Sequence, residues 1–324
     1  MRRLAILLSL TLLTGLSLTL LSQTRANPGS QQQPGEFKVR VDVDLVELPV
    51  SVVDKNGDAV EGLTQANFQV LEDNKAQDIT LFKHEDIPLS LGLVIDSSGS
   101  MRNKKEKVHS AALTFVKESN PDDETFIVAF DHEAFLQQDF TGSLGDLVDA
   151  LESLDPRDQT AMYDAIYLSV DHVRKGKLNK KALLVISDGE DTSSKWGFNK
   201  VLEHVQQTDN VTIYAIGILD ENDSRSGGLF GKSPQKKARE ALKEIAEVSG
   251  GQAFFPKSID EVVEICRRIA RDLRNQYTIG YTSKNDKKDG TWRTIQVKLV
   301  NPPKSADKPK VTTRQGYFAP DASQ

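Results

Sequence analysis

Two segments of the chain are apolar almost without interruption, ALLVIS at residues 182–187 and VTIYAIGI at residues 211–218. A strand with one face in water alternates apolar and polar residues, so these unbroken runs predict strands that are covered on both faces. Such strands are typical of parallel sheets flanked by helices. The two runs therefore predict an α/β layer in this chain.

The region 88–275 alternates predicted strands and helices around these two runs. Further strands are predicted at 89–95, 125–130 and 252–255, and helices at 104–118, 235–249 and 259–274. Repeated strand–helix units of this kind build a doubly wound, mostly parallel sheet. In such sheets, ligands bind at the carboxyl ends of the strands.

The segments on either side of this region have the period of two that is typical of strands. Residues 36–87 and residues 276–318 each contain too few strands for an independent core of good size. We therefore expect them to pair as one small all-β, sandwich-like domain into which the α/β domain of residues 88–275 is inserted. Residues 319–324 are a tail.

The N-terminus has the features of an export signal. Arg2 and Arg3 precede the apolar stretch 4–21, and Ala26 is a plausible cleavage residue. Residues 1–26 are thus predicted to be a signal peptide, followed by a polar linker at 27–35. The protein would be periplasmic or secreted, with no membrane insertion after cleavage. The apolar stretch is somewhat long for a signal, so an uncleaved N-terminal anchor is the alternative.

The charge balance and the cysteine content exclude several classes of partner and cross-link. The full chain has a net charge of −6, and loss of residues 1–26 removes three arginines and leaves 38 basic against 47 acidic residues, or −9. This balance argues against nucleic acid and anionic membrane surfaces as partners. Cys266 is the one cysteine, so no intrachain disulfide can form, and its place on an apolar helical stripe predicts burial.

Oxygen-bearing side chains follow three of the predicted elements at the edge where ligands bind. The motif DSSGS ends the first α/β strand, RDQT precedes a helical pattern, and SDG ends the strand at 182–187. The carboxyl ends of parallel strands meet at one exposed edge of the sheet, so these loops can offer two carboxylates and three hydroxyls to one point. The predicted metal ligands are Asp96, Ser98, Ser100, Thr160 and Asp188.

The chemistry of these side chains favours a hard cation. All of them are oxygen ligands, which suits six-coordinate Mg²⁺ or Mn²⁺ with some bound water. Without histidine or cysteine in the set, zinc and copper are disfavoured.

The motif D-x-S-x-S at the end of the first strand, with Thr160 and a strand followed by SDG in this order, resembles the von Willebrand factor A domain and its metal-ion-dependent adhesion site. The resemblance covers about residues 88–275, and all five family positions match. The flanking β segments resemble the ends of exported bacterial proteins of the same group.

The resemblance implies a role for each site residue. Ser98, Ser100 and Thr160 would bind the ion directly, whereas Asp96 and Asp188 would act largely through bound water. The metal would then keep positive character and an open position, which a Glu or Asp carboxylate of a protein partner would fill. The implied function is a non-enzymatic binding or adhesion module.

Two other functions stay open from the sequence alone. A metal-assisted hydrolase would use Asp96 as a base, although no general acid is evident. An adaptor for an ATP-driven chelatase, which some A domains are, is opposed by the leader sequence. The sequence has no G-x-S-x-G elbow, no phosphate-binding loop and no H-E-x-x-H motif.

Three features near the candidate site have no assigned role. Glu190 and Asp191 are expected in a solvated loop, and the acid-rich segment 220–233 in a surface loop, because it lacks the ligand order of an EF-hand. Trp196 fits either an exposed partner-binding side chain or a buried residue at the start of the next helix.

Overall fold

The apolar runs lie at the centre of a six-stranded sheet in the computed structural model, which describes residues 45–157, 159–219, 233–303 and 307–321. These residues all belong to one compact unit, Val43–Gln324. The predicted signal peptide, linker and first strand residues to 44 lie outside the described residues, as do residues 220–232 of the acid-rich segment and residues 322–324 of the tail.

Strands and α-helices in the described ranges are numbered in chain order. The strands are β1 (Leu45–Val53), β2 (Phe68–Glu72), β3 (Lys75–Gln77), β4 (Ile79–His84), β5 (Leu89–Asp96), β6 (Glu124–Phe130), β7 (Ala134–Thr141), β8 (Lys180–Ser187), β9 (Val211–Gly217), β10 (Ala253–Phe254), β11 (Tyr277–Thr282), β12 (Trp292–Leu299), β13 (Lys310–Thr312) and β14 (Gly316–Phe318). The α-helices are α1 (Lys105–Glu118), α2 (Leu144–Glu152), α3 (Met162–Val173), α4 (Phe198–Gln206), α5 (Pro234–Ser249) and α6 (Val262–Arg274).

The central sheet has the strand order β10-β9-β8-β5-β6-β7. Its strands pair in parallel from β10 to β6, and β7 pairs with β6 antiparallel at the edge. The predicted doubly wound, mostly parallel sheet is therefore confirmed. The edge strand β7 was not predicted, because its half-exposed residues follow neither an unbroken apolar run nor a strict alternation.

Helices cover both faces of this sheet. On one face Leu93 and Ile95 of β5 pack in a cluster with α1, α2 and α6, and on the other Val94 packs in a cluster with α3, α4 and α5. Successive side chains of a strand point to opposite faces, so a strand buried on both sides must be apolar at every position. This requirement explains the unbroken apolar runs.

The remaining strands form two four-stranded sheets, β13-β1-β11-β4 and β14-β12-β2-β3. Each sheet combines strands that precede the α/β region with strands that follow it, in antiparallel pairs. A shared cluster that includes Leu48, Val70, Tyr277 and Val297 packs between them. The additional antiparallel sheets thus combine strands from both sides of the α/β region.

None of the helices in the described ranges is both long enough and apolar enough to cross a membrane.

Candidate metal centre

The loop after β5 carries the first three predicted ligands. Asp96 is the last residue of the strand, and its Oδ1 accepts a hydrogen bond of 2.8 Å from the backbone N–H of Ser98. Ser98 then begins a 3-10 turn at Gly99–Met101 that leads into α1. The turn brings the Oγ atoms of Ser98 and Ser100 to 3.0 Å from each other. The alternating D-x-S-x-S spacing therefore places the two hydroxyls side by side.

Asp188 follows the neighbouring strand β8 and joins this group. The Ser100 hydroxyl donates to Asp188 Oδ1 at 2.7 Å, and the Lys104 ammonium donates to Asp188 Oδ2. The Asp188 side chain is almost completely buried, with 1% of its surface exposed. Four predicted ligands therefore belong to one local group in which the described contacts connect Ser100 to Ser98 and to Asp188.

Thr160 reaches the same edge from the loop before α3. A Cβ atom placed on Gly189 would lie 3.9 Å from Thr160 Oγ1, so this hydroxyl adjoins the residue after Asp188. The Thr160 backbone is held by the loop after β8, since its N–H donates to Thr192 Oγ1 at 3.0 Å and its carbonyl accepts from Thr192 N–H at 2.8 Å. The three loops therefore converge, although Thr160 Oγ1 has no described hydrogen bond to the other four ligands.

The position of Asp96 differs from the expected exposed edge. Ser100 is exposed, but Asp96 is only 2% exposed. Burial and the nearby Asp188 carboxylate raise the pKa of Asp96 to about 6. The site therefore extends from the exposed hydroxyl of Ser100 to the buried carboxylate of Asp96. Ionisation of this buried carboxyl group is unfavourable without a positive charge nearby.

Ser187 is a site residue that sequence analysis missed. Its Oγ donates to Asp96 Oδ2 at 2.6 Å and accepts from the Gly189 N–H at 3.3 Å. Ser187 thus orients the Asp96 carboxylate and shapes the turn that carries Asp188. One available indication was that a serine ends an otherwise apolar strand.

The donor set fits a divalent hard cation that uses hydroxyls as well as carboxylates. Within the described ranges, no group of three or more His, Cys, Asp or Glu side chains is arranged to hold a metal ion. The candidate centre contains two carboxylates, so its further donors would be the three hydroxyls and water. Oxygen donors of this kind match Mg²⁺, Mn²⁺ or Ca²⁺ better than ions that prefer nitrogen or sulfur.

Glu190 and Asp191, which follow Asp188, make specific contacts, whereas the sequence predicts a solvated loop for both. Asp191 Oδ2 accepts the Tyr163 N–H at 2.9 Å, and Ser194 Oγ accepts the Asp164 N–H at 3.0 Å, so both satisfy N–H groups in the first turn of α3. Burial raises the pKa of Asp191. Glu190 instead lies 3.3 Å from the Lys237 ammonium of α5.

Trp196 combines both of its predicted environments. Its ring stacks on Tyr167 with the centroids 5.1 Å apart, and Tyr167 stacks in turn on His204 at 3.9 Å. Even so, 42% of the Trp196 surface is exposed. Its backbone N–H donates to Asp164 Oδ1 at 2.9 Å, which fixes the loop on α3.

The fold and the arrangement of these loops define an α/β domain with a candidate cation site at the carboxyl edge of its sheet. Residues 91–190 match the von Willebrand factor type A domain family. The chain therefore contains a von Willebrand factor type A domain, a family of modules that are generally non-enzymatic and mediate interactions.

A curated relative covers more of the chain. An uncharacterized protein of Synechocystis sp. is 29% identical over 236 residues, which are 71% of this chain and 51% of that protein. The chain thus spans about half the length of this relative.

The similarity to solved structures is more distant. A von Willebrand factor type A protein from Catenulispora acidiphila is 12% identical, with a TM-score of 0.49, over 79% of this chain and 75% of its own. Proximal thread matrix protein 1 from the mussel byssus, solved with a zinc-occupied MIDAS motif, is 17% identical, with a TM-score of 0.48, over 62% of this chain and 49% of its own.

Proposed function

We propose that this protein is an exported, non-enzymatic binding module that captures an acidic side chain of a protein partner through a divalent cation, Mg²⁺ or Mn²⁺. The observation that carries the proposal is the convergence of three loops at one sheet edge. The residues proposed to hold the ion are Asp96, Ser98, Ser100, Thr160 and Asp188.

The buried and exposed parts of the centre suit different tasks. Asp96 is fixed by Ser98 and Ser187, so its carboxylate is oriented before any ligand arrives. Ser100 is exposed, so a partner could reach an ion held there. A bound divalent ion would supply positive charge with an open coordination position for the partner's carboxylate. Hydroxyl ligands leave more of that charge uncancelled than carboxylates would.

Export rests on the sequence of residues 1–26, which has the basic start, apolar stretch and small cleavage residue of a signal peptide. A location outside the cytoplasm suits a module that binds a partner on cell surfaces. It also disfavours the role of a cytoplasmic chelatase adaptor. A reporter fused after residue 40 that stayed in the cytoplasm would support that adaptor role instead.

The proposal can be tested by metal-dependent capture. The full chain is immobilised and exposed to surface proteins of the source cells, once with Mg²⁺ and once with EDTA. We expect a specific protein to be retained with Mg²⁺ and released by EDTA. Replacing one acidic residue of that protein by its amide should abolish retention, because an amide lacks the negative charge that the ion attracts.

The matched control is a column that carries the Asp96→Asn chain. This change removes one charge, while an amide of nearly the same shape can still bond to Ser98 and Ser187. The control should retain nothing in Mg²⁺. Equal retention in EDTA or on the Asp96→Asn column would contradict the proposal. Metal-dependent hydrolysis of the retained protein would favour the hydrolase.

A further inference from the structure

The Lys104 ammonium lies beside Asp188, one of the candidate ligands of the divalent ion. It donates to Asp188 Oδ2, while the other oxygen of this carboxylate accepts from Ser100. The Asp188 side chain is 1% exposed and the Lys104 side chain 29% exposed. An ammonium that pairs with a buried carboxylate offsets the unfavourable free energy of burying that charge.

The backbone holds Lys104 in this position. The Lys104 N–H donates to the Met101 carbonyl at 2.8 Å, at the end of the turn that carries Ser98 and Ser100. Lys104 directly precedes α1, which begins at Lys105. A cation is unfavourable at the N-terminus of a helix, because the helix dipole is positive there. The ion pair with Asp188 offsets this unfavourable interaction. The position of Lys104 is therefore explained by its contact with the candidate centre and not by the helix.

We infer that Lys104 is a built-in counter-ion of the metal site, which neutralises Asp188 in the metal-free protein and must leave it when a divalent ion binds. The inference rests on the proposed metal-binding function. Its physical basis is competition, because the ammonium and a divalent ion are both attracted to the same carboxylate. Lys104 would therefore weaken metal binding while it stabilises the metal-free fold.

The test compares the full chain with its Lys104→Met and Lys107→Met variants. Lys107 lies one turn further along α1, and its ammonium pairs with Asp260 at 2.7 Å, with both side chains more than half exposed. The control thus removes the same charge from a position three residues further along the chain and away from the centre. Mg²⁺ affinity is measured by calorimetry at pH 8, and the thermal midpoint is measured in EDTA and in Mg²⁺.

We expect Lys104→Met to bind Mg²⁺ at least about tenfold more tightly than the wild-type chain, since no charge-assisted hydrogen bond has to be broken. Its midpoint in EDTA should be lower, because Asp188 is then buried without its partner, and Mg²⁺ should raise this midpoint more than that of the wild type. Lys107→Met should match the wild type in both measurements.

A second variant keeps the inference testable if Lys104→Met does not fold without metal. Lys104→Arg retains a cation beside Asp188, and it should bind Mg²⁺ more weakly than Lys104→Met purified in Mg²⁺. Equal or weaker binding by Lys104→Met, relative to the wild type, would overturn the role of Lys104 and leave the metal site standing. Absence of Mg²⁺ and Mn²⁺ binding by all of these proteins would overturn both.

Discussion

Thr160 differs from the other candidate ligands because its backbone, and not its hydroxyl, makes the described hydrogen bonds of this residue. Its N–H and carbonyl bond to Thr192, whereas Oγ1 adjoins Gly189. A hydroxyl in this position is available to an ion without loss of an existing bond. The resemblance to the von Willebrand factor A domain implies that Thr160 would join the ion directly mainly when a partner's carboxylate is present.

The first prediction is that Thr160→Ala weakens partner binding more than Mg²⁺ binding. The backbone bonds to Thr192 remain in the variant, so the loop should keep its position. The measurement is a pair of affinities, one for Mg²⁺ by calorimetry and one for the captured partner. Equal losses in both would mean that Thr160 is an ordinary ligand with no linkage to the partner.

His109 is a titrating group whose charge state should affect stability. It lies on α1, lines a small cavity together with Asp96 and Leu154, and is partly buried. Burial, and then the positive charge of Lys105, lower the pKa of His109 to about 4. The unfolded chain would take up this proton near pH 6.5, so it binds more protons than the folded chain between these two values.

The second prediction is that the stability contributed by neutral His109 is present above about pH 6.5 and is lost as the pH falls towards 4. Partial exposure reduces the effect to about 1–2 kcal/mol. Urea unfolding of wild type and His109→Gln from pH 4 to pH 8 should therefore show a difference in free energy that changes by this amount. A difference that does not vary with pH would contradict the assigned pKa.

At the scale of elements, the start of α3 depends on a segment far away in sequence. Ala161 precedes this helix and cannot cap it with its side chain. Asp191 and Ser194 accept the N–H groups of Tyr163 and Asp164 instead, from about 30 residues further along the chain. The loop that carries Asp188 is thereby fastened to the helix that Thr160 precedes.

The third prediction is that Asp191→Ala lowers the free energy of unfolding by about 1–2 kcal/mol, the usual effect of losing a helix cap. Glu190→Ala is the matched control, because it removes the neighbouring acid, whose pair with Lys237 is partly exposed. The control should change stability by less than about 1 kcal/mol. Urea unfolding measures both, and equal effects would show that the Asp191 bonds do not cap α3.

The elements that the sequence predicts best are those whose environment is uniform along their length. β8 and β9 are buried on both faces, so apolar runs mark them within a residue or two. β7 is half exposed and pairs with β6 through register shifts, which removes any regular pattern. Its place at the sheet edge is decided by tertiary pairing and not by local propensity.

The residues of the candidate site likewise fall into those that the sequence predicts and those that it does not. Its five predicted residues lie at or near the ends of regular elements, and the topology of a parallel sheet brings those ends together. Ser187, Lys104 and Asp191 were missed because their roles depend on contacts across the fold. Lys104 and Asp188 are 84 positions apart, and Ser187 and Asp96 are 91 apart. Nothing in the local sequence of either partner specifies such a pair.

At the scale of the whole molecule, the α/β region and the paired sheets have separate cores. The buried residues of the two clusters around the central sheet all lie between Leu89 and Leu273, and those of the third cluster lie outside that range. Polar contacts and the packing of Trp292 against one cluster of the central sheet join the two parts. Gln276 Nε2 donates to Ser51 Oγ at 3.2 Å and to the Tyr214 hydroxyl at 3.3 Å, and Arg314 pairs with Asp209 at 2.6 Å.

The fourth prediction is that residues 88–275 expressed alone fold into the α/β domain. The fragment keeps the buried residues of both of its clusters and loses the packing of Trp292 and the polar contacts at the junction. Far-ultraviolet circular dichroism should show native-like helix content and a cooperative thermal transition, at a lower temperature than in the full chain. An unfolded fragment beside a folded full chain would mean that the two parts form one cooperative unit.

The central claim is that the converging loops bind one divalent cation through oxygen ligands. The most direct measurement is a calorimetric titration of Mg²⁺ into the metal-free full chain and into Asp96→Asn. The amide preserves the buried shape at position 96, so a loss of binding reports on the lost charge and not on a cavity. Zinc is then added in competition with Mg²⁺ and Mn²⁺ at equal concentration.

We predict one Mg²⁺ per wild-type chain, greatly weakened binding by a folded Asp96→Asn chain, and zinc that binds no better than Mg²⁺ or Mn²⁺. Equal Mg²⁺ binding by both chains would place the ion elsewhere. Absence of Mg²⁺ and Mn²⁺ binding by the wild type, or far tighter zinc binding, would contradict the oxygen-ligand centre assigned to Asp96, Ser98, Ser100, Thr160 and Asp188.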